Sequence, residues 1–450
     1  MTRIITKVSS AALALALLLV QSFPAIAQEK FEIAAGVAPS YVIFDLGVVV
    51  AGDSASQGFG VSPNGVAVGR SIRTGGAQAF SSSNAVITGL PNLAARPFCV
   101  ANAAYNANSV VGTCATTLFG TSRLPVIWQS GVVSQLPLPA GETLGDANDI
   151  NASGVAVGSV NSGSAQRAAI YSGGTGTVIS QTTSNGSFFT TAFGINDSGR
   201  IAGIGIDPNN AARNVGMIFD VGGSTATDIG ALPGMNGALA FAIGNGGHVV
   251  GSSMLNQGSG MPFIWTQAGG MVAIPLPVGT TQASARGVNT SGWAVGTASS
   301  AFAIPFLYDG TNTYRLADLI PAGTGWDLST NTSSSALGIS DNRIIVGTGV
   351  LNGNVRGYAM VPAGNVSIGG RILTAGGNGI KNAVVTLTGG ALSSPLVVRT
   401  GSFGYYSFPN IAIGGSYTIT VASKSYIFSS PSRIVTPFTS ISDADFSAQP

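Results

Sequence analysis

The side chains that most often carry chemistry are scarce in this sequence. Its 450 residues include one His and two Cys, and 8% are charged. A zinc centre needs three or four His, Cys or carboxylate ligands, and His248 has no second His to complete one. It reads as a strand residue in a hairpin. Asp146-Ala-Asn148-Asp149-Ile-Asn151 alternates oxygen-bearing side chains as a calcium loop does, but it lacks the fixed Gly and the distal bidentate carboxylate of such loops. Asp443 and Asp445 read as solvated charge at a strand end. The expectation is therefore no metal, no cofactor and no enzymatic activity.

Recognition chemistry has more material. Arg123, Arg167, Arg213 and Arg356 each stand a few residues before a large apolar side chain, in four different segments. Guanidiniums gathered on one rim suit a carboxylate-bearing glycan, which they bind in bidentate fashion. Trp326 and Asp327 lie in the insertion Gly323-Thr-Gly-Trp-Asp-Leu, where an aromatic has little structural reason to be, and Asp146 is expected in a loop of the same face. These seven residues form the candidate binding surface. The competing reading of the arginines is solvated charge that keeps the rim soluble.

A repeat must position them. The stretch Thr191–Asp207, TAFGINDSGRIAGIGID, recurs six more times in altered form. Aligned on the last glycine, the copies fall at Gly69, Gly112, Gly158, Gly203, Gly251, Gly296 and Gly347, spaced by 43, 46, 45, 48, 45 and 51 residues. A period of this length marks a repeat architecture. Apolar residues alternate on both sides of a turn such as Asn196-Asp197-Ser198-Gly199, which predicts a β-hairpin whose Gly or Asn supplies a positive φ. Asn108 and Arg343 replace that glycine in the second and seventh copies, so those turns are expected to differ in shape. A third strand is predicted at segments such as Pro125-Val-Ile-Trp128 and Pro262-Phe-Ile-Trp265, with Trp128 and Trp265 as packing residues. A fourth follows, often closed by Pro, which suits an outer edge.

Four strands per copy predict an all-β chain built as a seven-bladed β-propeller, with an open solenoid as the alternative. The seventh copy ends after its third strand at Pro362, while Tyr41-Val-Ile-Phe-Asp-Leu-Gly47 stands before the first. Asp45 lies 24 residues before Gly69, as Asp228 lies 23 before Gly251. The N-terminal segment is therefore expected to complete the last blade. Cys99 and Cys114 flank the second turn symmetrically, which favours a disulfide across one hairpin, the alternative being two free buried thiols.

The pattern A-x-x-I-N-x-x-G-x-x-V-G followed by an FLW-like strand, over residues 41–362, resembles the HAF repeat family of bacterial extracellular proteins. That resemblance implies an exported repeat protein without an assigned activity. After Pro362 the period ends. Gly379-Ile-Lys-Asn-Ala-Val, Thr400-Gly-Ser-Phe-Gly-Tyr-Tyr-Ser-Phe, Gly415-Ser-Tyr-Thr-Ile and a closing Asp445-Phe446 resemble the carboxypeptidase regulatory-like domain. The resemblance implies a small transthyretin-like β-sandwich that is a spacer or binding module, not a catalyst. The expected division is 1–27, 28–363 and 364–450.

Residues 1–27 carry Arg3 and Lys7, an apolar run from Ala11 to Val20, and Ala25-Ile26-Ala27. This is the form of a cleaved signal peptide, and the run is short for a membrane anchor. Without it 17 basic residues face 17 acidic ones, which gives no electrostatic support to nucleic-acid binding. The sequence thus predicts a secreted, periplasmic or surface binding scaffold with no transmembrane segment after cleavage, its partner a glycan or cell-envelope component. The competing class is a propeller-type polysaccharide hydrolase or lyase using loop carboxylates.

Overall fold

Alternating apolar residues and Gly-rich turns produce strands almost everywhere. The computed structural model describes residues 38–84, 86–118, 120–163, 165–390 and 392–450; the signal-peptide reading of 1–27 lies outside them. The described chain is all-β, with one short 3-10 turn at Leu316–Leu319. Among the described residues no helix is long and apolar enough to cross a membrane.

Each repeat copy gives an antiparallel sheet with its strands hydrogen-bonded in chain order. The fourth copy runs Phe188–Ile195, Arg200–Asp207, Asn210–Asp220, Thr227–Asp228. The first and second copies share one hydrogen-bonded sheet through a single parallel pairing of Ala77 with Phe98. In the seventh copy Ser335–Ile339, Ile345–Leu351 and Asn354–Pro362 are followed by Tyr41–Asp45, antiparallel to Asn354–Pro362. This N-terminal strand sits as Thr227–Asp228 does in the fourth copy. Asp45 faces Arg356 at 3.9 Å and accepts from the Gly47 N–H at 2.8 Å; Asp228 faces Arg213 at 2.5 Å and accepts from the Gly230 N–H at 2.8 Å.

The first strands of the copies form a closed circuit. Ala55–Val61 touches Phe98–Asn106, which touches Leu144–Ile150, and so on through Phe188–Ile195, Gly237–Ile243, Gln282–Val288 and Ser335–Ile339, which returns to Ala55–Val61. The repeat's last glycine is explained by this crowding. A Cβ at Gly203 would collide with the Thr191 carbonyl of the first strand, and Gly69, Gly112, Gly158, Gly251, Gly296 and Gly347 meet the equivalent carbonyls. No side chain fits there.

The repeat's asparagine does two jobs. Its Oδ1 holds its own turn: Asn196 accepts from Arg200 N at 2.9 Å and Asn289 from Trp293 N at 3.0 Å. Its amide reaches the next copy: Asn151 donates to Asn196 O, Asn196 to Gly244 O, and Asn289 to Ser340 O, at 3.1, 3.4 and 3.2 Å. Asp341 N donates to Pro63 O at 3.1 Å, which joins the seventh copy to the first. One expected irregularity is absent. Arg343 takes φ +62° and keeps the Ser340 turn in the same hydrogen-bonding pattern as the Gly199 turn, its guanidinium 4.3 Å from the Trp293 ring centre. The second copy does differ, with Ala107-Asn108 as a two-residue turn between the paired Asn106 and Ser109 and no left-handed residue.

Residues 365–450 form two sheets. Tyr405–Ala412, Asn365–Leu373 and Phe446–Ser447 make one; Leu396–Arg399, Val384–Gly389, Tyr417–Ala422 and Ser432–Val435 make the other. Ile368, Val385, Leu387, Phe408, Ile419 and Phe446 close a core between them. A second core joins this part to the first and seventh copies, where Phe438 packs on Phe44 at 4.5 Å between ring centres beside Leu46, Phe80 and Val361.

Candidate functional site

Every first strand carries a β-bulge at the same place. The register shifts across Gly58/Gly60, Ala101/Ala103, Ala147/Asp149, Ala192/Gly194, Ala240/Ala242, Ala285/Gly287 and Ala336/Gly338. A bulge leaves one residue unpaired and re-aims its side chain. The seven extra residues, Phe59, Asn102, Asn148, Phe193, Phe241, Arg286 and Leu337, all line one cavity of about 340 Å³. Asn102, Asn148 and Phe193 also line a second cavity of about 350 Å³. Three of the bulge residues thus stand between two chambers, and the residue at this position changes from copy to copy.

Small residues follow the bulges because the next first strand lies against them. A Cβ on Gly194 would stand 3.0 Å from Ile243 N, and one on Gly338 3.0 Å from Val61 N. Asp149 is the exception, occupying the place of Gly60, Ala103, Gly194, Ala242, Gly287 and Gly338. Its Oδ2 accepts from Ile195 N of the next copy and its Oδ1 from Ile150 N, both at 2.9 Å. Burial pushes its carboxyl up to about 7, helped by the nearby Asp197 charge and opposed by the two N–H donors.

Three bulge residues interact in series. Phe193 meets Phe241 edge-on at 5.4 Å, and the Arg286 guanidinium lies 3.8 Å from the Phe241 ring centre. Arg70 repeats the arrangement at 5.3 Å over Phe59 and donates to Gln57 Oε1 at 2.9 Å. Burial lowers the pKa of both arginines. Among the described residues neither has a carboxylate within 4 Å, whereas Arg73, Arg123, Arg167, Arg200, Arg213 and Arg356 all do.

The residues singled out from sequence mostly stand elsewhere. Arg123 and Asp146 are brought together at 3.2 Å on the wall of the second cavity, and Asp146 lies within the strand Leu144–Ile150, not in a loop. Burial raises the Asp146 carboxyl against Arg123, Thr113 and Ser159, which lower it. Arg167 is bonded to the buried Glu142. Arg213 is saturated by Asp207, Asp228 and the Asn236 carbonyl, and Arg356 faces Asp45. Trp326 is half-buried, edge-on to Tyr358 at 5.9 Å, so its aromatic ring completes a core. Burial pushes the Asp327 carboxyl up, but hydrogen bonds from Ser329, Thr330 and Asn331 outweigh it and hold it at about 2. Asp327 caps its own loop. The side chains of the calcium-like run are engaged separately: Asp146 faces Arg123, Asn148 Nδ2 donates to Ala192 O, Asp149 accepts from Ile195 N, and Asn151 Nδ2 donates to Asn196 O. His248 is in the turn ahead of Val249–Met254, half-buried against Gly292, with Nδ1 buried and without a protein partner.

Cys99 and Cys114 are directly paired across the hairpin and form a disulfide. Cys99 lines the second cavity. The bond closes a loop of 15 residues, so C99S/C114S is expected to lose about 3 kcal/mol of stability, read as a lower urea midpoint. An unchanged midpoint would mean that the hairpin needs no staple.

No family model and no curated protein matches the chain. Solved structures do. A streptogramin B lyase aligns at 13% identity over 71% of this chain and 98% of its own, with a TM-score of 0.40. An oligogalacturonate lyase from Vibrio parahaemolyticus aligns at 10% identity over 72% and 97%, TM-score 0.45. TolB from Acinetobacter baumannii aligns at 9% identity over 69% and 64%, TM-score 0.37.

Proposed function

We propose that this chain is a secreted or surface-exposed, non-catalytic binding scaffold for a glycan or cell-envelope component. On this reading residues 28–363 are a seven-bladed β-propeller, supported by the closed circuit of first strands. Residues 364–450 are a carboxypeptidase regulatory-like β-sandwich acting as spacer or attachment module, supported by two sheets around one core. The disulfide suits an oxidising compartment.

The observation that carries the binding reading is the lining of the second cavity. Gln166, Asn102, Asn148, Thr113 and Thr191 present amides and hydroxyls beside Phe193 and Phe98. Amides and hydroxyls match the hydroxyls of a sugar, and an aromatic face matches its apolar C–H face. The volume is in the range of small-ligand pockets. The carboxylates nearby are engaged with arginines, Asp146 with Arg123 and Glu142 with Arg167, which supports binding over hydrolysis.

A glycan array probed with the mature chain tests this. Binding is expected, weakened at least tenfold by Gln166→Ala and by Phe193→Ala. Loss of binding in Trp326→Ala or Arg213→Ala instead would return the site to the outer rim. No binding to any glycan would sink the glycan reading, and turnover of a polysaccharide would overturn the non-catalytic one.

A further inference from the structure

The first cavity has a different chemistry from the second. Its waist holds the guanidinium of Arg286, stacked on Phe241, with no hydrogen-bond acceptor and no carboxylate partner among the described residues. Arg has five N–H donors and keeps its charge, and Arg286 is exposed into this cavity, so its guanidinium is open to a ligand anion in place of water. Apolar bulge residues Phe59, Phe193 and Leu337 share this waist.

Acid lines the same cavity. Asp149 is half-buried three copies away from Arg286 around the circuit of seven, hence across the channel, and Asp197 and Asp341 are exposed on the turns at its mouth. Each is held in place by neighbouring donors: Asp149 by Ile195 N, Asp197 by Ala152 N and Asn245 Nδ2, Asp341 by Thr290 N. A simple anion would satisfy Arg286 but face three aspartates. A simple cation would satisfy the acids and leave Arg286 bare. A ligand carrying both charges on an apolar body meets every group.

We propose that this cavity binds a small amino-carboxylate zwitterion with an apolar side chain, its carboxylate on Arg286, its ammonium toward the aspartates and its body against Phe193 and Phe241. A free amino acid and a short peptide share this chemistry. This chamber shares Phe193 with the one assigned to a glycan, but Arg286 and Phe241 line only this one and Gln166 only the other, so variants at those residues let either proposal fail alone.

Isothermal titration of the mature chain with L-phenylalanine, the dipeptide Phe-Leu, 3-phenylpropionate and phenethylamine tests it. At least one of the first two is expected to bind, and which one binds distinguishes amino acid from peptide. 3-Phenylpropionate, without the ammonium, and phenethylamine, without the carboxylate, are expected to bind at least tenfold more weakly. Arg286→Gln, whose side chain faces the channel, is expected to keep the wild-type melting temperature and to weaken the zwitterion at least tenfold. Should Arg286→Gln fail to fold, Phe241→Leu carries the same expectation of weakened binding. The proposal is overturned if neither zwitterion binds, if 3-phenylpropionate binds as tightly as L-phenylalanine, or if the folded variant binds as the wild type does.

Discussion

Tyr41→Ala is expected to remove about 3–5 kcal/mol of stability, the range for truncating a fully buried aromatic. Tyr41 is 1% exposed, although it is the first residue of the first strand. It shares one buried cluster with Leu307, Leu316, Leu328, Ile345, Tyr358 and Met360, so it belongs to the core common to the sixth and seventh copies. Five residues along the same segment, Leu46 enters the core between the seventh copy, the first copy and the C-terminal part. The strand between them is hydrogen-bonded to Asn354–Pro362 over its whole length. One short segment therefore joins the two ends of the repeat array, and its loss acts on both cores at once. Tyr41→Phe separates packing from polarity. The hydroxyl is buried without a protein partner, and burial drives its pKa upward. Removing a buried donor that makes no bond avoids a desolvation cost of about 1–3 kcal/mol, so Tyr41→Phe is expected to be neutral or stabilising. Urea unfolding of both variants gives the answer, and a Tyr41→Ala midpoint equal to wild type would contradict the closing role of this strand.

What the sequence made legible follows from what periodicity can encode. Alternation around Gly and Asn turns reports strands, and the described chain is all-β. Cys99 and Cys114 were placed opposite each other by counting outward from one turn, and they form the disulfide. Arginine and tryptophan attracted attention for their chemistry, but Arg213 is held by two aspartates and Trp326 by Tyr358. Chemical type says nothing about which partner a side chain has already met. The bulge residues were missed for the opposite reason. A bulge breaks the two-residue alternation that strand reading relies on, so Phe193 in Ala-Phe-Gly looked like one more apolar residue of a strand. The available signal was variation: Phe, Asn, Asn, Phe, Phe, Arg and Leu occupy one position flanked by Ala or Gly in every copy, apart from Asp149. Small neighbours with an unequal centre mark a crowded backbone holding an unconstrained side chain.

Asp149 supplies the second large effect, a loss of stability as pH rises from about 4 to about 7. Its carboxyl sits at about 7 in the folded chain and near 3.9 when unfolded. The unfolded chain therefore gives up this proton first. The contribution of the neutral group is complete below about pH 4, shrinks by roughly 1.4 kcal/mol per pH unit above that, and is gone once pH has risen through about 7, a total of at most about 4 kcal/mol. The cause is the unusual position: a carboxylate stands where the other copies have Gly or Ala, pressed against the next first strand, with only Ile195 N and Ile150 N to stabilise its charge. Asp327 and Asp220 act in the reverse direction. Their carboxyls are held below the ordinary range, so their contribution is present above about pH 4 and is lost as pH falls through about 2 for Asp327. Opposed slopes put the stability maximum at about pH 4. Urea midpoints measured from about pH 2 to 9 should fall on both sides of it, and Asp149→Asn should flatten the fall between about pH 4 and 7 while leaving the acid side in place. A fall between about pH 4 and 7 that survives in Asp149→Asn would assign the effect to another group and leave Asp149 an ordinary ionised carboxylate.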